Sequence, residues 1–87
     1  MSEPDKMRGM DLETYKITQN LTYEDLATEI GVTQAKQARS YALGHIWPRT
    51  EQLEKIVKAC EGVTIEDMHA RRMRYRRFLR GQHRRVA

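Results

Sequence analysis

Residues 21–34 read Leu-Thr-Tyr-Glu-Asp-Leu-Ala-Thr-Glu-Ile-Gly-Val-Thr-Gln, and residues 44–53 read Gly-His-Ile-Trp-Pro-Arg-Thr-Glu-Gln-Leu. Thr22 and Asp25 have the spacing of a capping box, in which two side chains bond each other's backbone amides at a helix start. Three apolar residues follow at helical spacing: Leu26, Ala27 and Ile30. Gly31 suits the left-handed backbone conformation that ends a helix. This stretch predicts a short capped helix followed by a tight turn.

A polar helix is predicted next, over about residues 33–43, with Thr33 as its N-cap and Gly44 just beyond its end. On a helical wheel its small side chains share the inward side: Ala35, Ala38 and Ala42. The opposite side carries Thr33, Lys36, Gln37 and Ser40. No acidic residue occurs between Glu29 and Glu51. The outward face is therefore hydrogen-bonding and neutral or positive.

Three more helices complete the predicted all-helical fold. The first is expected over about residues 11–19, with Leu12, Tyr15 and Ile17 as its inward candidates. Thr50 is expected to cap a fourth helix, whose apolar stripe is Leu53, Ile56, Val57 and Cys60. The spacing of Thr64 and Asp67 predicts a second capping box at the start of a fifth helix. Its inward face reads Ile65, Met68, Tyr75 and Leu79, interrupted by Arg72.

Charge is distributed unevenly along the 87 residues. Residues 1–67 hold all 12 acidic residues against five Lys and three Arg, whereas residues 68–87 hold eight Arg and no acid. A concentrated basic end favours a polyanionic partner, although such a run also serves merely to solubilise a chain. No apolar run is long enough to span a bilayer, and the polar opening of the chain does not resemble a signal peptide. A single cysteine, Cys60, excludes an internal disulfide and suits a reducing cytosol.

The stretch from Leu21 to Gln34 resembles the signature of the phage-repressor helix-turn-helix family, the Cro-like or XRE-like regulators. Gly44-x-x-x-Pro48-x-x-x-x-Leu53 resembles the segment that follows in that family. The resemblance covers roughly residues 10–68. It implies a compact bundle of four or five helices whose third helix reads DNA, usually as a homodimer on a two-fold operator.

One spacing departs from that family. The interval from Gly31 to Gly44 is one residue longer than usual. An insertion of one residue restores Ala38 and Tyr41 to the apolar positions of the helix. It leaves open which side chain of the third helix would face which base.

Candidate DNA contacts follow from the chemistry of the side chains. Gln bonds adenine through two atoms, Lys and Arg bond guanine, and hydroxyls donate to phosphates or base edges. The base-reading candidates are Gln34, Lys36, Gln37, Arg39 and Ser40. The phosphate-binding candidates are Thr33, His45, Arg49, Arg74, Arg76, Arg77 and Arg80.

Other chemistry is not indicated. Trp47 either braces a DNA backbone or packs on the fourth helix, and packing is favoured because a loop tryptophan usually anchors its loop. Cys60 is expected in the core. The three histidines, His45, His69 and His83, show no metal-ligand spacing with it. We expect no metal, no cofactor and no enzyme activity.

Three segments are predicted: a flexible arm (1–9), a helix-turn-helix domain (10–68), and an Arg-rich C-terminal helix and tail (69–87). The expected function is a cytoplasmic, nucleoid-associated transcriptional regulator, more plausibly a repressor, that binds double-stranded DNA as a homodimer. One alternative is an antitoxin-type protein-interaction module. Another is an RNA-binding or architectural protein that uses the Arg-rich end. That end could contact DNA, extend a dimer interface through Tyr75, Phe78 and Leu79, or bind RNA or an acidic partner.

Overall fold

Five α-helices follow one another in the computed structural model, which describes residues 9–86 and the side chains of residues 9–81. They are α1 (Leu12–Thr18), α2 (Tyr23–Ile30), α3 (Ala35–Ala42), α4 (Thr50–Ala59) and α5 (Ile65–Val86). Within the described range there is no β-strand, only an isolated bridge between Met10 and Val63. The predicted all-helical class is confirmed. No described helix is both long and apolar enough to cross a membrane.

The start of α2 has the predicted capping box. The Thr22 hydroxyl accepts a hydrogen bond from the Asp25 amide at 3.0 Å, and the Asp25 carboxylate accepts from the Thr22 amide at 3.1 Å. Gly31 ends the helix with φ +80°, and its amide donates to the Ala27 carbonyl. Both ends of α2 therefore follow from local sequence.

The starts of α3 and α4 differ from the prediction, because neither Thr33 nor Thr50 is an N-cap. The N-cap residues are Gln34 and Arg49, and neither side chain makes a capping hydrogen bond. Gln34 keeps an extended backbone, so the turn after Gly31 is one residue longer than expected. α3 thus begins one residue later than predicted, and Ala38 lies in the core.

At the start of α5 the capping box is only half formed. The Thr64 hydroxyl accepts from the Asp67 amide at 3.1 Å, as predicted. The Thr64 amide, however, donates to the Met10 carbonyl, so the Asp67 carboxylate bonds the Thr64 hydroxyl instead. The segment before α1 is thereby paired with the link between α4 and α5.

One core joins all five helices. Its buried members are Leu12, Tyr15, Leu26, Ala27, Ile30, Ala38, Ala42, Leu53, Ile56, Cys60, Val63 and Met68. Four residues expected to face inward are exposed instead: Ile17, Val57, Ile65 and Leu79. Each lies at the edge of its helix face or, in the case of Leu79, beyond the part of α5 that covers the core.

Asp11 connects the first helix to the last. Its Oδ1 accepts from the Thr14 amide at 2.8 Å, which caps α1, and its Oδ2 accepts from Arg71 Nε at 2.6 Å. Arg74 lies 3.8 Å from the same oxygen. Burial alone would raise the pKa of the Asp11 carboxyl, but hydrogen bonds from Arg71 and Thr14 outweigh it and hold the pKa below the usual 3.8.

A second contact places α5 across the end of α3. Arg72 Nη1 donates to the carbonyls of Gly44 and His45 at 3.0 and 3.1 Å. A Cβ on Gly44 would lie 2.9 Å from the Arg72 Cα, and the φ of Gly44 is +81°. Only glycine meets both requirements without strain. Beyond this crossing, the described side chains from Arg76 to Gly81 are all exposed.

The predicted segments relate to the helices as follows. Residues 1–8 of the predicted arm lie outside the described residues. The predicted boundary between residues 68 and 69 falls inside α5, which is a continuous helix. The Arg-rich segment therefore continues a helix whose first turns carry the core residue Met68.

We expect acid to weaken the fold through Asp11. Because its folded-state pKa is lowered, its contribution is full above the unfolded-state pKa and is lost as the pH falls through the folded-state pKa. Asp11→Asn keeps a capping acceptor but loses the charge, and should lower the free energy of unfolding by about 1–2 kcal/mol at pH 7. Asp11→Ala loses both the acceptor and the charge, and should lower it by about 2–3 kcal/mol. Urea unfolding of both variants from pH 2 to 7 measures this, with the exposed Glu61→Gln as control. Equal losses at pH 2 and pH 7 would contradict the assignment.

The stability of three glycine-to-alanine variants should depend on the surroundings of each glycine. Gly44→Ala meets both a positive φ and the α5 backbone, so it should destabilise most, by about 2–4 kcal/mol. Gly31→Ala meets only the strain of a positive φ and should destabilise the fold by about 1 kcal/mol. Gly81→Ala has open space inside a helix and should stabilise by up to about 1 kcal/mol. Thermal unfolding of the three measures the order, and a neutral Gly44→Ala would contradict the close crossing of α5.

Candidate nucleic-acid interface

The two sides of α3 differ in burial as the helical wheel predicts. Ala38 and Ala42 are buried at 0% and 1% exposure, and Ala35 is half-buried. Lys36 and Gln37 are exposed, and Ser40 is half-buried beside them. Small inward residues allow α3 to lie close to α2, with which it makes the most extensive helix–helix contact of the fold. The result is a rigidly held helix with a polar outer side.

Gln37 is bonded to its neighbour one turn later. Its Nε2 donates to the Tyr41 hydroxyl at 3.0 Å. The Tyr41 ring is half-buried and packs against the core, so the hydroxyl is held in place. Gln37 is thus an exposed side chain with one fixed hydrogen-bond partner.

A polar hollow of about 390 Å³ lies between α3 and α4. Its lining residues are Gln37, Tyr41, Arg49, Glu51, Gln52 and Lys55. Gln52 Nε2 donates to the Ile30 carbonyl at 2.8 Å, which ties α4 to the end of α2. Arg49 and Lys55 are exposed, so the hollow has two cations at its rim.

The helices beside this hollow begin without side-chain caps. Asp11 caps α1, Thr22 caps α2, and the Thr64 hydroxyl bonds the first turn of α5. In contrast, Gln34 and Arg49 make no such bond to α3 and α4. The N-cap side chains therefore leave the first backbone amides of α3 and α4 uncapped, an arrangement that an external acceptor can complete.

The other candidates near α3 are spread over its surroundings. Thr33 and Gln34 are exposed in the turn before the helix. Arg39 is exposed on the flank towards α2. There, burial and a hydrogen bond to Glu13 raise the pKa of Tyr23, and the Arg39 charge opposes this rise. Around the axis of α3, Lys36 and Ser40 therefore lie nearer to Gln37 than Arg39 does.

His45 and Trp47 pack on α5. The His45 ring stacks on Tyr75 with 4.3 Å between centroids, and its carbonyl accepts from Arg72. Trp47 is half-buried against the core and meets the His69 ring edge-on at 5.9 Å. Trp47 therefore packs as favoured from the sequence, but its ring partner lies on α5 rather than on α4.

The six arginines of α5 whose side chains the structure describes divide into two groups. Arg71 and Arg72 hold the helix to Asp11 and to the end of α3, so Arg72 does not merely interrupt an apolar face. Four phosphate candidates, Arg74, Arg76, Arg77 and Arg80, are exposed, and of these only Arg74 approaches Asp11. Sequence reasoning missed the roles of Asp11, Arg71 and Arg72. Only the N-cap spacing of Asp11 and Thr14 was a readable signal.

Two buried groups beside Glu29 are not reactive. Burial and a hydrogen bond with Glu29 raise the pKa of Tyr15 to about 12. Burial and the Glu29 charge raise the pKa of Cys60 to about 11, so the thiol stays protonated at neutral pH. The expectation that Cys60 is a core residue is confirmed.

The described residues contain no group of three or more His, Cys, Asp or Glu side chains that could hold a metal ion. Comparison with protein-family models, with curated proteins and with solved structures found no match.

Proposed function

We propose that this chain is a transcriptional regulator that binds duplex DNA, with α2 and α3 acting as a helix-turn-helix and α3 entering the major groove. The observation that carries the proposal is the division of α3. Alanines bury one side, while Lys36, Gln37 and Ser40 stand together on the other. These side-chain types match the donors and acceptors of base edges. Small inward residues let α3 lie close to α2, which fixes the position of the helix that carries these side chains.

Charges around α3 favour an anionic partner. The interval between Glu29 and Glu51 contains Lys36, Arg39 and Arg49 but no acid. The uncapped starts of α3 and α4 offer free backbone amides, and Arg49 stands at the second of these starts. Backbone amides at a helix start bind phosphate oxygens and set the register of a protein on DNA.

We also propose that α5 pairs with α5 of a second copy. Tyr75, Phe78 and Leu79 lie on one face at helical spacing, and Phe78 is 59% exposed. Arg76 and Arg80 fall on the other side of the helix by the same spacing. Pairing through the apolar face would keep these arginines apart.

Asp11 reduces the remaining repulsion in such a pair. Arg71 flanks the apolar face, and its charge is already paired with Asp11 at 2.6 Å. The hollow beside α5 is lined by Leu43, His45, Tyr75 and Phe78 together with Arg71 and Arg74. A partner helix would therefore cover apolar and aromatic side chains next to two arginines. A two-fold pair would present two α3 helices to a two-fold operator.

A repressor role is preferred to an activator role, because occupying a promoter needs no further surface. The cytoplasm, and the nucleoid within it, is the compartment that this function requires. Among residues 9–81, no side-chain contact favours the antitoxin or RNA-binding alternatives. Both alternatives are outcomes of the experiment that tests the proposal.

Selection of binding sites from random duplex DNA tests the proposal. We expect a two-fold symmetric motif. The variants Lys36→Ala, Gln37→Ala and Ser40→Ala should each flatten the preference at one base position per half-site, at a cost of about 1–3 kcal/mol for a good contact. Glu54→Ala, at an exposed position of α4, serves as the control. Unchanged preferences in all three variants would overturn the role of α3, and tight single-stranded RNA binding with no selected duplex would favour the RNA alternative.

The exposed arginines of α5 should contribute affinity without sequence preference. Replacing Arg74, Arg76, Arg77 and Arg80 with Gln should weaken specific and non-specific duplex binding together. The slope of log affinity against log salt should fall by up to about 0.9 for each phosphate that is no longer neutralised. Titrations at several salt concentrations measure this.

The same four arginines replaced with Lys form the matched control, because they keep the charge and should keep most of the slope. Gln variants that retain affinity and slope but become monomeric in sedimentation would show that these arginines act in dimerisation instead.

A further inference from the structure

The polar hollow between α3 and α4 adjoins the outer side of α3. Gln37 and Tyr41 line it from α3, Glu51, Gln52 and Lys55 line it from α4, and Arg49 lines it from the N-cap of α4. Its volume of about 390 Å³ exceeds that of a phosphate group. Because Gln37 belongs both to this wall and to the outer side of α3, a duplex whose base edge meets Gln37 brings the adjoining backbone phosphates to the hollow.

The hollow attracts anions, although one carboxylate lines it. Arg49 and Lys55 are exposed at its rim, and Glu51 is exposed between them in sequence. Among residues 9–81 the only ion pairs are those that Asp11 makes with arginines of α5, so neither cation of the hollow has an acidic partner there. Two such cations against one carboxylate leave a net positive charge beside α3.

Tyr41 adds a neutral donor to these charges. Its hydroxyl oxygen accepts a hydrogen bond from Gln37 Nε2 at 3.0 Å. A phenol hydroxyl both accepts and donates, so this bond leaves the Tyr41 proton for a second acceptor. The ring is half-buried and packed against the core, which holds the hydroxyl at the wall of the hollow. A phosphate oxygen is an acceptor that tyrosine hydroxyls bind in protein–DNA contacts.

We propose that this hollow binds one backbone phosphate of the duplex, with Lys55 as the second cation beside Arg49 and the Tyr41 hydroxyl as a neutral donor. The inference rests on the proposed DNA-binding function and adds to it a contact site within α4. The phosphate is one that adjoins the base at Gln37. Its contact fixes the position of α3 in the groove without reading a base.

Two pairs of exposed α4 residues test the proposal, because only one member of each pair lines the hollow. Lys55→Gln should lower operator affinity by about 2- to 5-fold and the slope of log affinity against log salt by up to about 0.9. Lys58→Gln should have little effect on either. Glu51→Gln should raise the affinity, because it removes a repelling charge, whereas Glu54→Gln should not. Tyr41→Phe should lower the affinity at an unchanged slope, because a neutral donor displaces no counterion.

Operators with a single neutral methylphosphonate, placed in turn at each backbone position, locate the phosphate. At the position bound in the hollow, the substitution should weaken binding of the wild-type protein by about 2- to 5-fold. It should weaken binding of Lys55→Gln by less, since both changes remove the same contact. With Lys58→Gln the effects should be additive at every position.

Additive effects with Lys55→Gln at every position, or equal effects of both members of each α4 pair, would overturn the phosphate site while DNA binding stands. Titration of the free protein with inorganic phosphate separates a second source of the same ligand. Saturable shifts of the Tyr41 amide at millimolar phosphate, together with additive methylphosphonate effects, would make the site one for a free anion instead. If no duplex sequence is selected at all, the proposed function fails and the backbone contact fails with it.

Discussion

The position of α5 depends on one buried carboxylate. Asp11 caps α1 with one oxygen and binds Arg71 with the other at 2.6 Å, although 60 residues separate the two in sequence. Because the charged hydrogen bonds outweigh the cost of burial, the group stays ionised and each partner constrains the other. Besides this contact, α5 is held to the body by Met68 in the core, by the Arg72 bonds and by ring contacts with His45 and Trp47.

From this contact the geometry around α3 follows. With Arg71 fixed, the next residue places its guanidinium on the carbonyls that end α3, and Gly44 allows the two backbones to meet. α3 packs on α2, and α5 crosses the loop at the end of α3, so the backbone of α3 is held on two sides. The exposed apolar residues Phe78 and Leu79 continue the docked face of α5 outward. In the proposed function, one arrangement thus serves both base reading and pairing of two copies.

Local rules predicted much of this fold, and long-range contacts account for what they missed. The capping box at Thr22 and the left-handed Gly31 depend on neighbours in sequence, and both were predicted correctly. The division of α3 into alanine and polar sides also follows from periodicity alone. The starts of α3 and α4 were each misplaced by one residue, because Gln34 and Arg49, rather than the neighbouring threonines, are the N-cap residues. Arg72 was misread because periodicity counts a charged side chain as outward, while the carbonyls that accept its bonds belong to a loop 27 and 28 residues away.

The central claim is that α3, rather than the Arg-rich part of α5, reads the sequence of duplex DNA. Mapping of backbone amide shifts in ¹⁵N-labelled protein tests it most directly, with a selected operator and a scrambled duplex of equal length compared at the same salt concentration. We predict that the shifts unique to the operator lie within residues 34–40, while both duplexes shift amides near Arg49 and in residues 74–80 alike. Operator-specific shifts confined to α5, or identical maps for the two duplexes, would contradict the claim.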